Sequence, residues 1–293
     1  MSTPPPMISR ACATLLGTPA RTAERLKTGS RTAVYRARLR DGRSVIVKLY
    51  AHTARRNALT EATAIRAAAA SVPVPEILGC GTASDEGATA LIMSDLGTCT
   101  LGTSVRADRI PRSEALKDLG GLLGRLHRAP VARSVPRRPF FDVVSSLTGR
   151  CPSELLDQIA PALSLIADTP DTAPTVWRHG DLHFDNVVLS GAQDTRYLVD
   201  FTDATPGQRE SDVAHALVMT AAHTPWDREA LTSRYPLALD NARLSAWVVL
   251  ITVRCWAHSA PGEDQALWSR RLTGLTHQTP HLFRTRRTER TSR

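Results

Sequence analysis

The stretch from His179 to Phe201 constrains this chain more than any other. It reads His179-Gly180-Asp181-Leu182-His183-Phe184-Asp185-Asn186, then Val187-Val188-Leu189, and a little further on Tyr197-Leu198-Val199-Asp200-Phe201. Two short apolar runs of β type flank a polar turn, so Asp181, Asn186 and Asp200 can converge at the strand ends. Carboxylate and amide oxygens gathered in this way suit Mg²⁺, a hard cation that usually shares its shell with nucleotide phosphates. The competing reading makes His179-Gly180-Asp181 an ordinary loop and Asp200 a turn residue, and only the surrounding elements decide between them.

Those elements change in kind along the chain. Residues before about position 25 read as a short arm with at most one helix. From Lys27 the pattern is β, over 32–40 and 43–50, and the Asp41-Gly42 pair between these runs predicts a type I′ hairpin turn with positive φ at both central residues. In the second strand Val45, Val47 and Leu49 share one face, while Ile46, Lys48 and Tyr50 share the other. Lys48 therefore needs an anionic partner, unless it snorkels from the strand end. Residues 54–70 have helical composition and stop before Pro73 and Pro75. Ala58, Ala62, Ile65 and Ala69 form the apolar stripe of this helix, with Glu61 on its edge. Glu61 is either a solvated helix charge or the carboxylate that answers Lys48. Strands at 76–80 and 88–93 lead into Leu91-Ile92-Met93-Ser94-Asp95-Leu96-Gly97. Helical patterns then dominate, at 113–127, 141–148, 154–167 and 240–258, with a Pro/Arg-rich connection at 130–139.

Composition narrows the class. A chain of 293 residues can build one large domain or two packed lobes, and 42% hydrophobic with 22% charged residues is an ordinary globular balance. The five cysteines are odd in number and scattered, with no C-x-x-C pair, which argues for reduced thiols and against zinc. Residues 1–7 lack the apolar region of a signal peptide, and the longest apolar run, 246–253, is too short to span a bilayer. A cytoplasmic protein without a membrane partner is expected. The formal charge of +9 is concentrated in part at Arg284, Arg286, Arg287, Arg290 and Arg293. We read this tail as solvated; with no aromatic-basic interleaving in the chain, nucleic acid is not expected as a partner.

The order of these motifs resembles the aminoglycoside phosphotransferase family, which shares the protein-kinase fold and phosphorylates hydroxyls of small molecules. The resemblance spans about residues 27–217. It implies an α+β, bilobal, protein-kinase-like fold: a small β-rich N-lobe over 1–96, a larger, mostly helical C-lobe over 97–283, and a basic tail over 284–293. The implied cofactors are ATP or GTP with Mg²⁺. Lys48, paired with Glu61, would grip the α- and β-phosphates, under a loop formed by Thr28-Gly29-Ser30-Arg31-Thr32 with Ser30 at its centre. Met93 would lie behind the purine, or be a plain core residue if the resemblance fails; Ser94 would offer it a carbonyl and Leu96 an amide. Asn186 and Asp200 would hold the metal, and Asp181 would orient the acceptor hydroxyl. Asp212 matches the family's buried aspartate that braces the loop, and His127 reads as structural. The space between Asp200 and Asp212 is too short for the activation segment of a protein kinase.

The function implied is an ATP-dependent O-phosphotransferase acting on a hydroxyl of a small-molecule antibiotic and so conferring resistance. A metabolic kinase of choline, homoserine or sugar type shares the same motifs. A nucleotide-binding pseudokinase is disfavoured because Lys48, Asp181, Asn186 and Asp200 are all present. No acidic block stands out in a chain this basic, so the expected acceptor is neutral or weakly charged, such as a nucleoside-type antibiotic, and not a polycation.

Overall fold

Asp41 and Gly42 turn the chain between two strands of a five-stranded antiparallel sheet, in which apolar alternation sets the register. A computed structural model describes residues 3–28, 32–83, 87–131, 140–168, 175–191 and 195–284. The sheet contains β1 (Ala20–Thr28), β2 (Thr32–Leu39), β3 (Ser44–Tyr50), β4 (Ile77–Thr82) and β5 (Thr89–Ser94), in the order β1-β2-β3-β5-β4. Helix α1 (Pro6–Leu16) starts with proline in its first turn and ends at Gly17, in a left-handed conformation whose N–H bonds to Ala13 O. Its Ile8, Ala11 and Cys12 pack with Val45, Val47 and Ile92 on one face of the sheet. Helix α2 (Arg55–Ala68) covers the other face through Ala58, Ala62 and Ile65.

Two local expectations are corrected here. Strand β1 begins at Ala20, where the sequence suggested only an arm and a helix; as an edge strand it buries, among its described side chains, just Ala20 and Ala23, and its charged side chains mask the alternation. The β2-β3 turn is not type I′, since only Gly42 has positive φ, at 90°. Leu39 N donates to Arg43 O at 2.8 Å and Gly42 N to Leu39 O at 3.2 Å, while the Asp41 carboxylate takes the Arg43 amide at 3.0 Å. The side-chain bond stabilises a longer turn that asks for one left-handed residue.

The rest of the chain is mainly helical: α3 (Leu101–Arg106), α4 (Arg112–Leu126), α5 (Phe140–Ser145), α6 (Ser153–Gln158) and α7 (Ala160–Asp168). The single helix expected at 154–167 breaks at Ile159, because Pro161 has no amide hydrogen with which to continue the ladder. Short strands β6 (Val176–Arg178), β7 (Val187–Ser190), β8 (Thr195–Leu198) and β9 (Thr205–Gly207) follow as two antiparallel pairs, β6 with β9 and β7 with β8. They lead into α8 (Arg209–Met219), α9 (Pro225–Ser233), α10 (Asn241–His258) and α11 (Glu263–Gln278). Asp240 caps α10 by accepting from the Ala242 and Arg243 amides at 2.9 and 3.0 Å, and Leu244, Leu250 and Ile251 are buried along that helix. No helix among the described residues is long and apolar enough to cross a membrane.

Helices α4 and α9 approach closely because α4 carries Gly120 and Gly124. A β-carbon at Gly120 would run into the Leu231 carbonyl oxygen, and one at Gly124 into Pro236 Cδ. Gly120→Ala is therefore expected to cost about 1–3 kcal/mol although alanine is the better helix former. A lower urea midpoint at unchanged m-value would report it.

Candidate active site

Strand β3 turns Lys48 away from the α1 face and α2 brings Glu61 to meet it. Lys48 Nζ lies 2.6 Å from Glu61 Oε1 and 2.7 Å from Asp200 Oδ1, and it donates to Thr202 Oγ1 at 3.1 Å. Thr202 Oγ1 is 2.6 Å from Asp200 Oδ1 and 3.3 Å from Glu61 Oε2, so its one hydroxyl hydrogen serves one carboxylate at a time. The Tyr50 hydroxyl donates to Glu61 Oε2. Burial works against the Lys48 ammonium, but the charges of Glu61 and Asp200 outweigh it and hold the amine's proton affinity above its ordinary value. Burial and the neighbouring Glu61 charge both push the Tyr50 phenol up, so it stays a donor.

The loop at 179–186 is shaped by Asp212, near the start of α8. Asp212 Oδ2 accepts from the His179 amide at 2.7 Å, and Oδ1 accepts from the Gly180 amide at 2.9 Å. His127 Nε2 stands 3.1 Å from Oδ2, and the Tyr235 hydroxyl lies 2.7 Å from His127 Nδ1. Burial alone would raise the Asp212 carboxyl; the bond to His127, nearby imidazoles and the loop amides reverse this and hold it well below the carboxylate range. Gly180 has φ of 81°, and a β-carbon there would strike the Asp203 carbonyl, so the turn requires glycine. The His179 ring bonds the Val199 carbonyl at 3.0 Å and leans on Phe201. The bracing expected of Asp212 and the structural place of His127 are thus explicit contacts.

Asp181, next in the loop, is held differently. His215 Nε2 lies 3.3 Å from Oδ1, without the alignment of a good hydrogen bond, and His183 Nε2 lies 3.9 Å from Oδ2. Asn186 Nδ2 donates to the Asp181 carbonyl at 2.7 Å and to Oδ2 at 3.3 Å. Burial raises the Asp181 carboxyl, but the pull of His215, His183 and His179 leaves it below its ordinary value, so it is an anion at neutral pH. Asp200, two residues after β8, adopts the left-handed region, φ 64° and ψ 64°, unusual for a residue other than glycine.

A cavity of about 370 Å³ opens between the sheet and this loop. Its walls are Leu26, Val34, Ile46, Met93 and Val188, and its polar lining includes Lys48, Asn186 and Asp200. Met93, Ser94 and Leu96 all line it; Ser94 is tied to Glu76 through its amide, at 2.9 Å, and its hydroxyl, at 3.0 Å. The sequence reading missed Asp95. Arg36 grips its carboxylate at 2.8 and 3.2 Å, Ser44 donates at 2.7 Å and the Gly97 amide at 3.0 Å, which fixes the segment carrying Leu96. Ser30 lies outside the described residues. His215, Tyr50 and Thr202 were also missed, because each gains meaning only through a partner distant in the sequence.

The donor set fits Mg²⁺. The nitrogen of the Asn186 amide is spent on Asp181, which leaves its oxygen for a cation, and Asp200 lines the same cavity. Among the described residues there is no cluster of three or more His, Cys, Asp or Glu side chains that would form an all-protein cage. Two oxygen ligands are what Mg²⁺ asks for when phosphates and water complete its octahedron.

Comparison with known proteins agrees with this architecture. The model of the phosphotransferase enzyme family (APH) matches residues 22–247, and the chain belongs to that family. Its fold is similar to the GDP and kanamycin complex of APH(2'')-IIia, at a TM-score of 0.67 and 16% identity, covering 92% of this chain and 98% of that one. It is similar also to choline kinase LicA from Streptococcus pneumoniae, with TM-score 0.67, 13% identity and coverage of 93% and 98%. By sequence it is 29% identical over 166 residues to a homoserine kinase from Pseudomonas aeruginosa, which is 51% of this chain and 52% of the relative. The chain thus spans about half the length of the curated relatives it matches. The α+β, kinase-like fold expected from the motifs is the observed one.

The Asp212 contacts tie stability to pH. A carboxylate held below its unfolded value, 3.8, contributes stability that is complete above that pH and drains away as pH falls further. Asp212→Asn should cost about 3–5 kcal/mol at pH 7, as expected when one member of a buried charged network is removed. Its stability should also fall less steeply than that of the wild type below pH 4, roughly the unfolded carboxylate value; urea titrations at several pH values would show both.

Proposed function

We propose that the chain transfers the γ-phosphoryl group of ATP, or of GTP, to a hydroxyl of a small molecule, and that this acceptor is an antibiotic without multiple positive charges. The observation that carries the reading is that one cavity holds Lys48 bonded to both Glu61 and Asp200, while Asn186 on its edge connects to Asp181. Phosphoryl transfer asks a protein chiefly for positioning and charge neutralisation, and this arrangement offers both.

In this mechanism the Lys48 ammonium binds the α- and β-phosphates, and Met93, Ser94 and Leu96 line the base. Asn186 and Asp200 hold Mg²⁺, which when bound supplies positive charge against the phosphate oxygens. Asp181 accepts a hydrogen bond from the acceptor hydroxyl and aims its oxygen at the γ-phosphorus. As the new O–P bond forms, the bond from the γ-phosphorus to the β–γ bridging oxygen breaks and ADP or GDP leaves. An alcohol is a far weaker acid than a carboxylic acid, so Asp181 takes the proton late. The described cysteines are all free thiols, which supports a reducing, cytoplasmic setting.

The charge around Asp181 supports the acceptor class. Two imidazoles, His183 and His215, flank its carboxylate, and nearby Cys255 stands in the fields of Arg254 and Arg271 as well as Asp181. The similarity to homoserine kinase favours a second reading, a metabolic alcohol as acceptor. A coupled nucleotidase screen of hydroxylated antibiotics and metabolites, with mass spectrometry of the products, separates the two: phosphate found only on a metabolite ends the resistance reading.

Asp181→Asn should lower turnover by about 10²–10⁴-fold with nucleotide binding largely kept, whereas Asp200→Ala should remove the Mg²⁺ dependence of that binding. Turnover that survives Asp181→Asn would remove this residue from its role. Kinetics at rising salt test the acceptor: efficient use of a polyamine-bearing aminoglycoside, with kcat/KM falling steeply as salt increases, would reveal an anionic cleft and overturn the choice.

A further inference from the structure

Away from the nucleotide cavity, helices α8 to α11 line a second, open cavity of about 610 Å³, and the two share no lining residue. Its floor is apolar, made by Leu217, Val218, Val248 and Leu275, and one cation, Arg228, lines its wall. Arg228 is partly buried, and among the described residues its guanidinium makes one long hydrogen bond, 3.5 Å from Nη2 to Ser245 Oγ. Glu229 also lines the cavity but is exposed, and no ion pair joins Arg228 to a carboxylate among the described residues. Burial pushes the guanidinium's proton affinity down with no carboxylate to offset it. The residue also sits in the first turn of α9, where the helix dipole disfavours a cation. His223, at the same cavity, lies in the field of Arg271 and Arg112, with Asp227 opposing them. A cation partly withdrawn from water over an apolar floor, with no carboxylate beside it, is stabilised by an anion that completes it.

We propose that this cavity is a second ligand site that takes a small organic anion, its carboxylate or phosphate on Arg228 and its apolar body on Leu217, Val218, Val248 and Leu275. The Thr224 and Thr232 hydroxyls also line the cavity, but their hydrogens go to the Asp227 carboxylate, at 3.0 Å, and to the Arg228 carbonyl, at 2.9 Å, so Arg228 is the group that would meet the anionic head. Phosphorylated and carboxylated ligands share this chemistry, and the probes below tell the head groups apart.

The test is calorimetry on the full chain saturated with MgADP, which blocks the nucleotide cavity. Hexanoate supplies head and body, hexyl phosphate the alternative head on the same body, and hexanol the body alone. Either anion should bind at least about tenfold more tightly than hexanol, as one charge-assisted contact implies. Arg228→Gln should remove that advantage while ADP affinity and thermal midpoint stay near wild type, and Arg228→Lys should restore part of it. Thr232→Trp, which fills the cavity from its exposed rim, should abolish binding of all three, and it decides the question if Arg228→Gln does not fold. Anions that bind no better than hexanol, that ADP displaces, or that ignore whichever of these two variants folds would overturn the proposal.

Discussion

A single ammonium group, that of Lys48, joins three parts of the chain that are far apart in sequence. Strand β3 supplies it, α2 supplies Glu61, and the turn after β8 supplies Asp200. None of the three tolerates its place alone: a buried cation or carboxylate without its partner is penalised by several kcal/mol. The sheet, the helix that covers it and the β7-β8 region are therefore held in one arrangement by charge as well as by packing. Tyr50 completes the cluster by satisfying the second Glu61 oxygen, and Thr202 by accepting from Lys48 and donating to Asp200; this saturation is what makes a buried ionic network specific for one geometry.

Asp212 plays the same part at the other end of the His179–Asn186 loop. It engages two consecutive backbone amides, which fixes the peptide plane just before Asp181, and His127 and Tyr235 anchor it to α4 and the segment after α9. Between the two charged nodes lies only the short β7-β8 hairpin, which leaves little freedom in how Asp181, Asn186 and Asp200 are disposed. The polar groups that would act are carried on loops, but buried ions pin those loops at both ends.

Much of this was legible in the sequence because it rests on local pattern. Lys48 stood out as one charge on an apolar strand, Glu61 as a carboxylate on the edge of an alanine stripe, and Asp200 as an acid at a strand end; each position follows from a period of 2 or 3.6 residues. The type I′ expectation at Asp41-Gly42 failed because side-chain capping by Asp41 outweighs the dipeptide preference. Strand β1 was hidden because, among its described side chains, only the small Ala20 and Ala23 are buried, and a register shift between Ala20 and Thr22 breaks the alternation. Asp95 and His215 were illegible for another reason. Their meaning is set by Arg36 and Asp181, at separations that no window of sequence periodicity covers.

The contrast between Asp212 and Asp181 separates a bracing carboxylate from one available for chemistry. Asp212 has no exposed side chain and three donors within 3.1 Å, so every lone pair that matters is committed and no substrate can reach it. Asp181 keeps 31% of its side chain exposed, and its side-chain contacts are long, 3.3 Å to Asn186 and His215 and 3.9 Å to His183. These partners hold it ionised without saturating it. A carboxylate that is charged, oriented from two sides and still short of close donors has room for one more hydrogen bond, and a hydroxyl group is the donor best able to make it.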